Sequence, residues 1–421
     1  MAFQAGRSSP LLWIVVALLG APSLLLAQGP PVGPEFRVNT YTTGRQTLPA
    51  VATDAAGNFV VVWHGHEGGP NDYGIFAQRY AEAGAPLGGE FHVNSFTTQQ
   101  QRYPTVASDA AGNFVVVWQS IGQGNDYWVI AQRYASTGAP LGPQFRVNTY
   151  TLANKKYPAV ASDPAGNFVV AWMSYYQDGF SDWGIYAQRF ASTGAPMGGE
   201  FRVNTFIPGD QGRPSVASDA AGNFVVVWQS YQQDGSFYGV FGQRYASTGA
   251  PLGGEFRVNT LVPGFQWHAK VASDAAGNFV VAWDTSLGTF DLFAQRFAAT
   301  GAPLGGEFRI NTYMGFVTYP SITSDSAGNF AVVWQSYQDP GGAYGVYGQR
   351  YASTGAPLGG EFRVNTYTTH FQRYASVASN GAGQFVVVWE SYLQEGQPSG
   401  GIFGQRYSMI VPVELVGFTI E

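Results

Sequence analysis

Cysteine is absent from this 421-residue chain. That excludes disulfides, thiolate metal sites and a cysteine nucleophile, and leaves packing alone to hold the fold together. Charge is also scarce: 11% of residues are Asp, Glu, Lys or Arg, the formal net charge is −6, and no run is rich in Lys and Arg. Nucleic acid is therefore not an expected partner, because phosphate binding needs a clustered basic footprint. No segment carries helical apolar period or helix caps. Phosphate-binding glycine loops, nucleophile elbows and zinc-protease motifs are missing as well, so no cofactor is expected. What the chain has in quantity is apolar and aromatic side chains, at 45% and 15% of residues, enough for a large core.

The first 27 residues stand apart. Arg7 gives a positive start, Leu11 to Leu26 form an apolar run broken by Gly20 and Pro22, and Ala27 precedes a cut at Gln28. This is the pattern of a secretory signal peptide, and the run is short for a membrane-spanning helix. Leu25 departs from the small residue preferred three positions before the cut. The expected mature protein is secreted, on the cell surface or periplasmic, a monomer with no stable membrane insertion. A short linker at 28–34 precedes the repeats.

Seven tryptophans, Trp63, Trp118, Trp172, Trp228, Trp283, Trp334 and Trp389, recur at gaps of 55, 54, 56, 55, 51 and 55 residues. Each closes a phrase such as GNFVVVW at 112–118, and a Gln-Arg pair follows each (Gln78-Arg79 through Gln405-Arg406). Self-similarity at this period means a stacked or closed repeat architecture. Within one copy, 104–108 is a short strand and Asp109 to Asn113 fits a tight Asp/Gly hairpin turn. Phe114 to Trp118 is a strand apolar on both faces, so it is covered on both sides. A third strand runs over 129–134, and a Gly/Pro turn leads to a fourth at 144–148. Four antiparallel strands per unit and seven units predict an all-β, seven-bladed β-propeller over 35–407, followed by a tail at 408–421. The lone strand at 35–39 is expected to complete the last blade beside residue 407, which removes both free edges. The tryptophans are then core, and the repeated Arg79 and Glu90 slots form a structural ladder, pairing across a hairpin or between blades.

Function is expected where the copies differ. Alternation of strand direction puts the loop after each tryptophan strand and the loop between blades on one face, and the uniform turns on the other. The candidate ligand-binding residues of the variable face are Arg102, Tyr127, Trp128, Tyr176, Asp178, Trp183, Arg213, Asp234, Trp267 and Arg373, aromatic, amide-flanked and charged as a glycan or protein ligand requires. No metal site is expected. His64-Gly65-His66-Glu67 lacks a third ligand, and the loops at Asp178 and Asp234 lack the dense carboxylates that calcium favours. No catalytic residue is assigned; Asp178, Asp182, Asp234 and Asp291 would have to converge from different blades to hydrolyse a glycosidic bond.

The phrases GNFVVVWQS (112–120), GVFGQRY (239–245) and GGEFRVNT (253–260) resemble a repeat of bacterial secreted and surface proteins, including adhesin-like chains. The resemblance covers 35–407 and implies export; that repeat carries no settled activity. The Ser-Asp-x-x-Gly turn is similar to the Asp-box of sialidase-type propellers but has one residue fewer between Ser and Asp, so no sialidase residue transfers. The tail 411–418 resembles a segment near the end of many exported bacterial proteins. Taken together these readings predict an exported, non-catalytic protein that binds glycan or protein through its variable face. The alternatives are a structural surface-repeat protein, and a glycoside hydrolase or lyase acting at the same face.

Overall fold

A computed structural model describes residues 31–409 except 67–72, 97–99, 123–125, 180–181, 287, 289 and 395–398. The expected signal peptide, the C-terminal tail beyond 409 and Glu67 lie outside the described residues.

Seven four-stranded antiparallel units follow one another around a ring, the fourth and fifth joined by one parallel pair, Tyr238 with Phe265. The second unit shows the plan: strands Gln101–Ser108, Phe114–Ile121, Tyr127–Tyr134 and Phe145–Arg146 pair in that order from the centre outward. The innermost strands of blades one to seven are Gln46–Thr53, Gln101–Ser108, Lys155–Ser162, Gln211–Ser218, Phe265–Ser273, Val317–Ser324 and Gln372–Ser379. In the seventh blade the outer strand is Phe36–Arg37, with Phe36 opposite Gly404. The N-terminal strand thus closes the ring.

The second strand of each blade is buried on both faces because each face meets a different neighbour. Val115 and Val117 pack with Phe168, Val170 and Trp172 of the third blade, whereas Phe114, Val116 and Trp118 pack with Val60 and Val62 of the first. All seven tryptophans are at most 1% exposed, which places them in the core as the repeat predicts. The Trp63, Trp118 and Trp228 indoles donate to Gln46, Gln101 and Gln211 at 2.9, 2.9 and 3.1 Å. The hairpin turns form as their Asp and Gly require. Asp109 accepts from the Ala111 and Asn113 N–H groups at 2.9 and 2.8 Å, and Gly112 takes a φ of 83°.

The repeated charged slots are structural, but Arg79 and Glu90 do not pair with each other. Glu90 accepts from the Thr40 backbone N–H at 2.6 Å. Glu200, Glu255, Glu307 and Glu361 repeat this contact with Thr149, Thr205, Thr260 and Thr312. Glu35 does the same for Thr366 across the ring closure. Arg79 instead donates to the Ser136 carbonyl of the next blade's turn at 2.5 Å. Each carboxylate and guanidinium therefore meets backbone groups of an adjacent blade.

Candidate functional site at the mouth of the central channel

Each inner strand departs from regular pairing at its third or fourth residue. The register breaks between Arg102 and Thr105, and equivalently in the other six blades. At each break one non-glycine residue is left-handed: Leu48, Tyr103, Tyr157, Arg213, His268, Tyr319 and Tyr374, with φ between 48 and 56°. A bulge re-aims a side chain and interrupts the ladder. It also explains the prolines that follow five of these residues (Pro49, Pro104, Pro158, Pro214 and Pro320), since proline is tolerated in a strand where no ladder N–H is needed. The bulge N–H groups turn to the blade before. Gln119, Gln229 and Gln335, each one residue after a core tryptophan, accept from Tyr157, His268 and Tyr374 at 3.2, 3.3 and 3.2 Å.

The seven left-handed residues line one cavity of about 370 Å³ at the channel mouth, with small residues below them. The mouth opens on the variable-loop face, where the inner strands begin. Its rings form a near-continuous belt. Tyr103 meets Tyr157 edge-on at 4.9 Å, the Arg213 guanidinium lies 4.6 Å over Tyr157, His268 stacks on Tyr319 at 4.2 Å, and Tyr319 meets Tyr374 at 5.5 Å. Burial pushes the Tyr103 phenol up to about 12 and raises Tyr319 too, so both stay protonated donors near neutral pH.

Two positions break the pattern in a chemically directed way. In the fifth blade the residue after the tryptophan is Asp284 rather than glutamine, fully buried. It holds His268 Nδ1 at 2.9 Å, accepts from Thr318 Oγ1, and accepts from the Tyr319 N–H at 3.3 Å. With Nδ1 engaged, the other ring nitrogen is the one left to exchange a proton. In the seventh blade Glu390 occupies the same slot, held by Arg45 at 2.9 Å, by Thr47 Oγ1 and by Arg373 at 3.5 Å.

Below the left-handed belt, six blades carry a small residue facing the channel (Ala50, Thr105, Ala159, Ser215, Ser321, Ser376) and the fifth carries Lys270. Lys270 is exposed to the channel, and the surrounding walls of the ring, then the Arg213 charge, lower its amine below the ordinary lysine value. No Asp or Glu lines the cavity.

Of the ten residues expected from sequence, Arg213 alone lines this cavity. Tyr127 and Trp183 come together through Lys156, whose amine lies 5.2 and 5.5 Å from their rings. Arg102 lies 4.4 Å over Tyr73, and Arg146 lies 5.2 Å over Trp128. Tyr176 stands on Tyr175 at 4.7 Å and Trp267 on Phe265 at 4.8 Å. Arg373 serves Glu390, and Asp234 caps the Ser236 N–H at 3.1 Å. Asp178 sits beside Gly184 at the start of its own third strand. The ten are thus spread over blades two to five and seven and do not form one site. The four aspartates also fail to converge: Asp182 holds the Gly209 N–H at 3.1 Å and Asp291 pairs with Arg309 at 2.7 Å. Among the described residues no group of three His, Asp or Glu side chains could hold a metal ion.

His268, Asp284, Tyr319 and Lys270 were not legible as a set from sequence. Aligning the seven copies column by column exposes the signal: a histidine where four blades have tyrosine or arginine before proline, and a carboxylate where three have glutamine.

No family model and no curated protein matches the chain. Solved structures do. A protein of unknown function from Dyadobacter fermentans superposes with a TM-score of 0.54 at 9% identity, over 88% of this chain and 97% of that one. An ulvan lyase from a polysaccharide lyase family gives 0.53 at 11%, over 89% and 96%. The intramolecular trans-sialidase of Ruminococcus gnavus gives 0.50 at 10%, over 88% and 97%. At these identities the likeness shows a shared propeller fold. It also corrects the expectation of a non-catalytic binding protein: the neighbours with a named activity are carbohydrate-active enzymes, the group to which the hydrolase-or-lyase alternative belongs.

Proposed function

We propose that the protein is a glycan-cleaving enzyme whose reaction takes place at the channel mouth. The observation that carries this reading is the His268–Asp284 pair, a histidine tied at Nδ1 to a fully buried carboxylate and set in a cavity wall. That is the arrangement of an oriented proton-transfer group. Tyr319 lies against the imidazole and supplies a phenol held in its protonated form.

The cavity suits elimination better than hydrolysis. Hydrolysis by paired carboxylates needs two acids flanking the bond, and no Asp or Glu lines this cavity. Elimination needs one base and one acid. His268 takes a ring proton made acidic by a neighbouring carboxyl group, the C–H electrons form the C=C bond, and the adjacent C–O bond breaks. The departing oxygen receives its proton from Tyr319. No water or oxidant enters. The fold shared with an ulvan lyase is consistent with this reading.

The test is release of new chain ends from a polysaccharide panel, with ultraviolet detection of unsaturated products. His268→Ala is expected to lower kcat by about 10²–10⁴-fold, the usual weight of a general acid–base group, with Tm retained. Release of saturated products alone would refute elimination; no cleavage of any polysaccharide would refute the enzyme reading.

A further inference from the structure

Basic residues are distributed unevenly. The chain has three lysines, Lys155, Lys156 and Lys270, and all lie on inner strands together with Arg102, Arg213 and Arg373. No inner strand carries an Asp or a Glu. In a chain of net charge −6, the charges on the inner strands are thus all positive, as they are on the short outer strands.

Four of the six lie outside the cavity lining and meet local partners. Lys155 donates to the Ala153 carbonyl at 2.9 Å, Lys156 lies over Tyr127 and Trp183, Arg102 over Tyr73, and Arg373 pairs with Glu390. The remaining two, Arg213 and Lys270, come from adjacent blades and line the same cavity. Arg213 lies over the Tyr157 ring as Arg102 lies over Tyr73, and among the described residues it pairs with no carboxylate. Lys270, exposed to the channel, makes no hydrogen bond or ion pair among the described residues, and the charge acting on it is the like charge of Arg213. Two cations facing one confined space without a counter-ion repel each other, and a bound anion relieves that cost.

Packing does not require this lysine. Ala, Thr or Ser fills the slot in the other six blades, so the fold is satisfied by a side chain of one to three heavy atoms. His268 lies two residues before Lys270 on the same strand, which puts the proton-transfer group and the cation in one wall.

We propose that Lys270 and Arg213 form an anion subsite that takes the carboxylate or sulfate of an acidic polysaccharide, and that Lys270 sets the preference of the site for acidic over neutral chains. This rests on the glycan-cleaving reading above and adds the substrate class and the residues that select it. An anion held there also neutralises charge beside the proton that His268 removes.

The experiment compares matched polymers that differ only in charge: polygalacturonate against its full methyl ester, and dextran sulfate against dextran. Affinity and cleavage are measured separately for the wild-type protein and for Lys270→Ser, which installs the residue of the fourth, sixth and seventh blades. Arg213→Tyr, the residue of four other blades, is the second variant. Tighter binding of at least one charged member is expected, weakening with salt. Lys270→Ser should reduce that affinity about tenfold or more, the scale of a lost charge-assisted contact, at unchanged Tm. Preference for the carboxylated polymer identifies a uronate, and preference for dextran sulfate a sulfate ester. Equal affinity for charged and neutral members, no binding of any charged polymer, or a preference untouched by Lys270→Ser overturns the proposal. Lys270-dependent binding without cleavage of any polymer would leave the subsite standing and remove the enzyme reading instead.

Discussion

His64 shows what a titratable residue costs in a slot that three blades fill with glutamine. It stands where Gln119, Gln229 and Gln335 stand in other blades, one residue after the core tryptophan. Burial first, then the charges of Arg102 and Arg45, push its imidazole down to about 3, so the folded protein holds it neutral. Tyr73 and Tyr103 complete its surroundings, at 5.5 and 6.1 Å between rings. Its pKa is depressed relative to the unfolded value of 6.5. Between that pH and about 3 the unfolded chain therefore binds a proton that the folded one refuses. Stability must fall as pH drops through this window and level off below it. His64→Gln removes the titration and places an amide where its counterparts accept the next blade's bulge N–H. The variant is expected to have a higher Tm, with a flatter decline between pH 6.5 and 3, checked by thermal melts across that range. Equal slopes for the two proteins would show that His64 is not the group responsible. Lys270 acts with the same sign at high pH: its folded amine titrates below the unfolded one, so stability again rises with pH, here as pH climbs from about 8.

At the scale of the strand, the bulge and the residue after the tryptophan act as a pair. The left-handed residue points its side chain into the cavity, and its N–H is recovered by the preceding blade. The third blade carries Met173 in the acceptor slot, so methionine fits there sterically. Gln335→Met therefore deletes one hydrogen bond with little change in volume. It should cost about 1–3 kcal/mol, the range for a buried donor left unpaired, read as a shift of the denaturant midpoint at constant slope. A cost below a few tenths would mean that the Tyr374 N–H finds another partner. This pairing also explains what sequence conveyed and what it withheld. The GNFVVVW phrase announces a two-sided buried strand because apolar residues on successive positions have no other use, and the Asp–Gly turn announces itself by chemistry. A tyrosine before a proline reads simply as an extended residue. Nothing local says that Tyr103, Tyr157, Tyr319 and their counterparts are left-handed and converge on one axis. Arg213 was legible as a charged residue in a variable stretch. His268 and Asp284 lie 16 residues apart and are joined only because inner and second strands pair in register. The large aromatics of the variable face break the repeat most visibly, but Trp128 and Tyr176 end beside side chains of their own blades, and Trp267 packs on Phe265 and near Tyr238 of the fourth blade.

At the scale of the whole ring, closure converts seven weakly independent sheets into one unit. The seventh blade borrows its outer strand from the N-terminus, and the clamps at that junction match those elsewhere. Glu35 accepts from Thr366 at 2.7 Å and from Gln394 at 2.6 Å, and Val38, 2% exposed, joins Val61, Trp63, Val386 and Val388 in one core cluster. The described chain ends meet there: the Val32 N–H donates to the Arg406 carbonyl at 2.8 Å, and the Met409 N–H to the Gly383 turn at 2.6 Å. Both lie on the uniform-turn face, opposite the channel mouth. Two rearrangements separate the strand from the covalent order that delivers it. Deleting residues 1–38 should expose the edge of Gly400–Ser408, lower Tm and promote aggregation, because an unpaired strand edge templates association. Joining residue 409 to Gly33 through a short Gly/Ser linker, with new ends opened between Thr137 and Gly138, keeps every strand pair while moving the break to an exposed turn. That permutant is expected to keep the parent's oligomeric state and to unfold in one transition at a Tm close to the parent's. If the permutant also aggregated, the stability of the ring would depend on where the chain begins and not on closure of the seventh sheet.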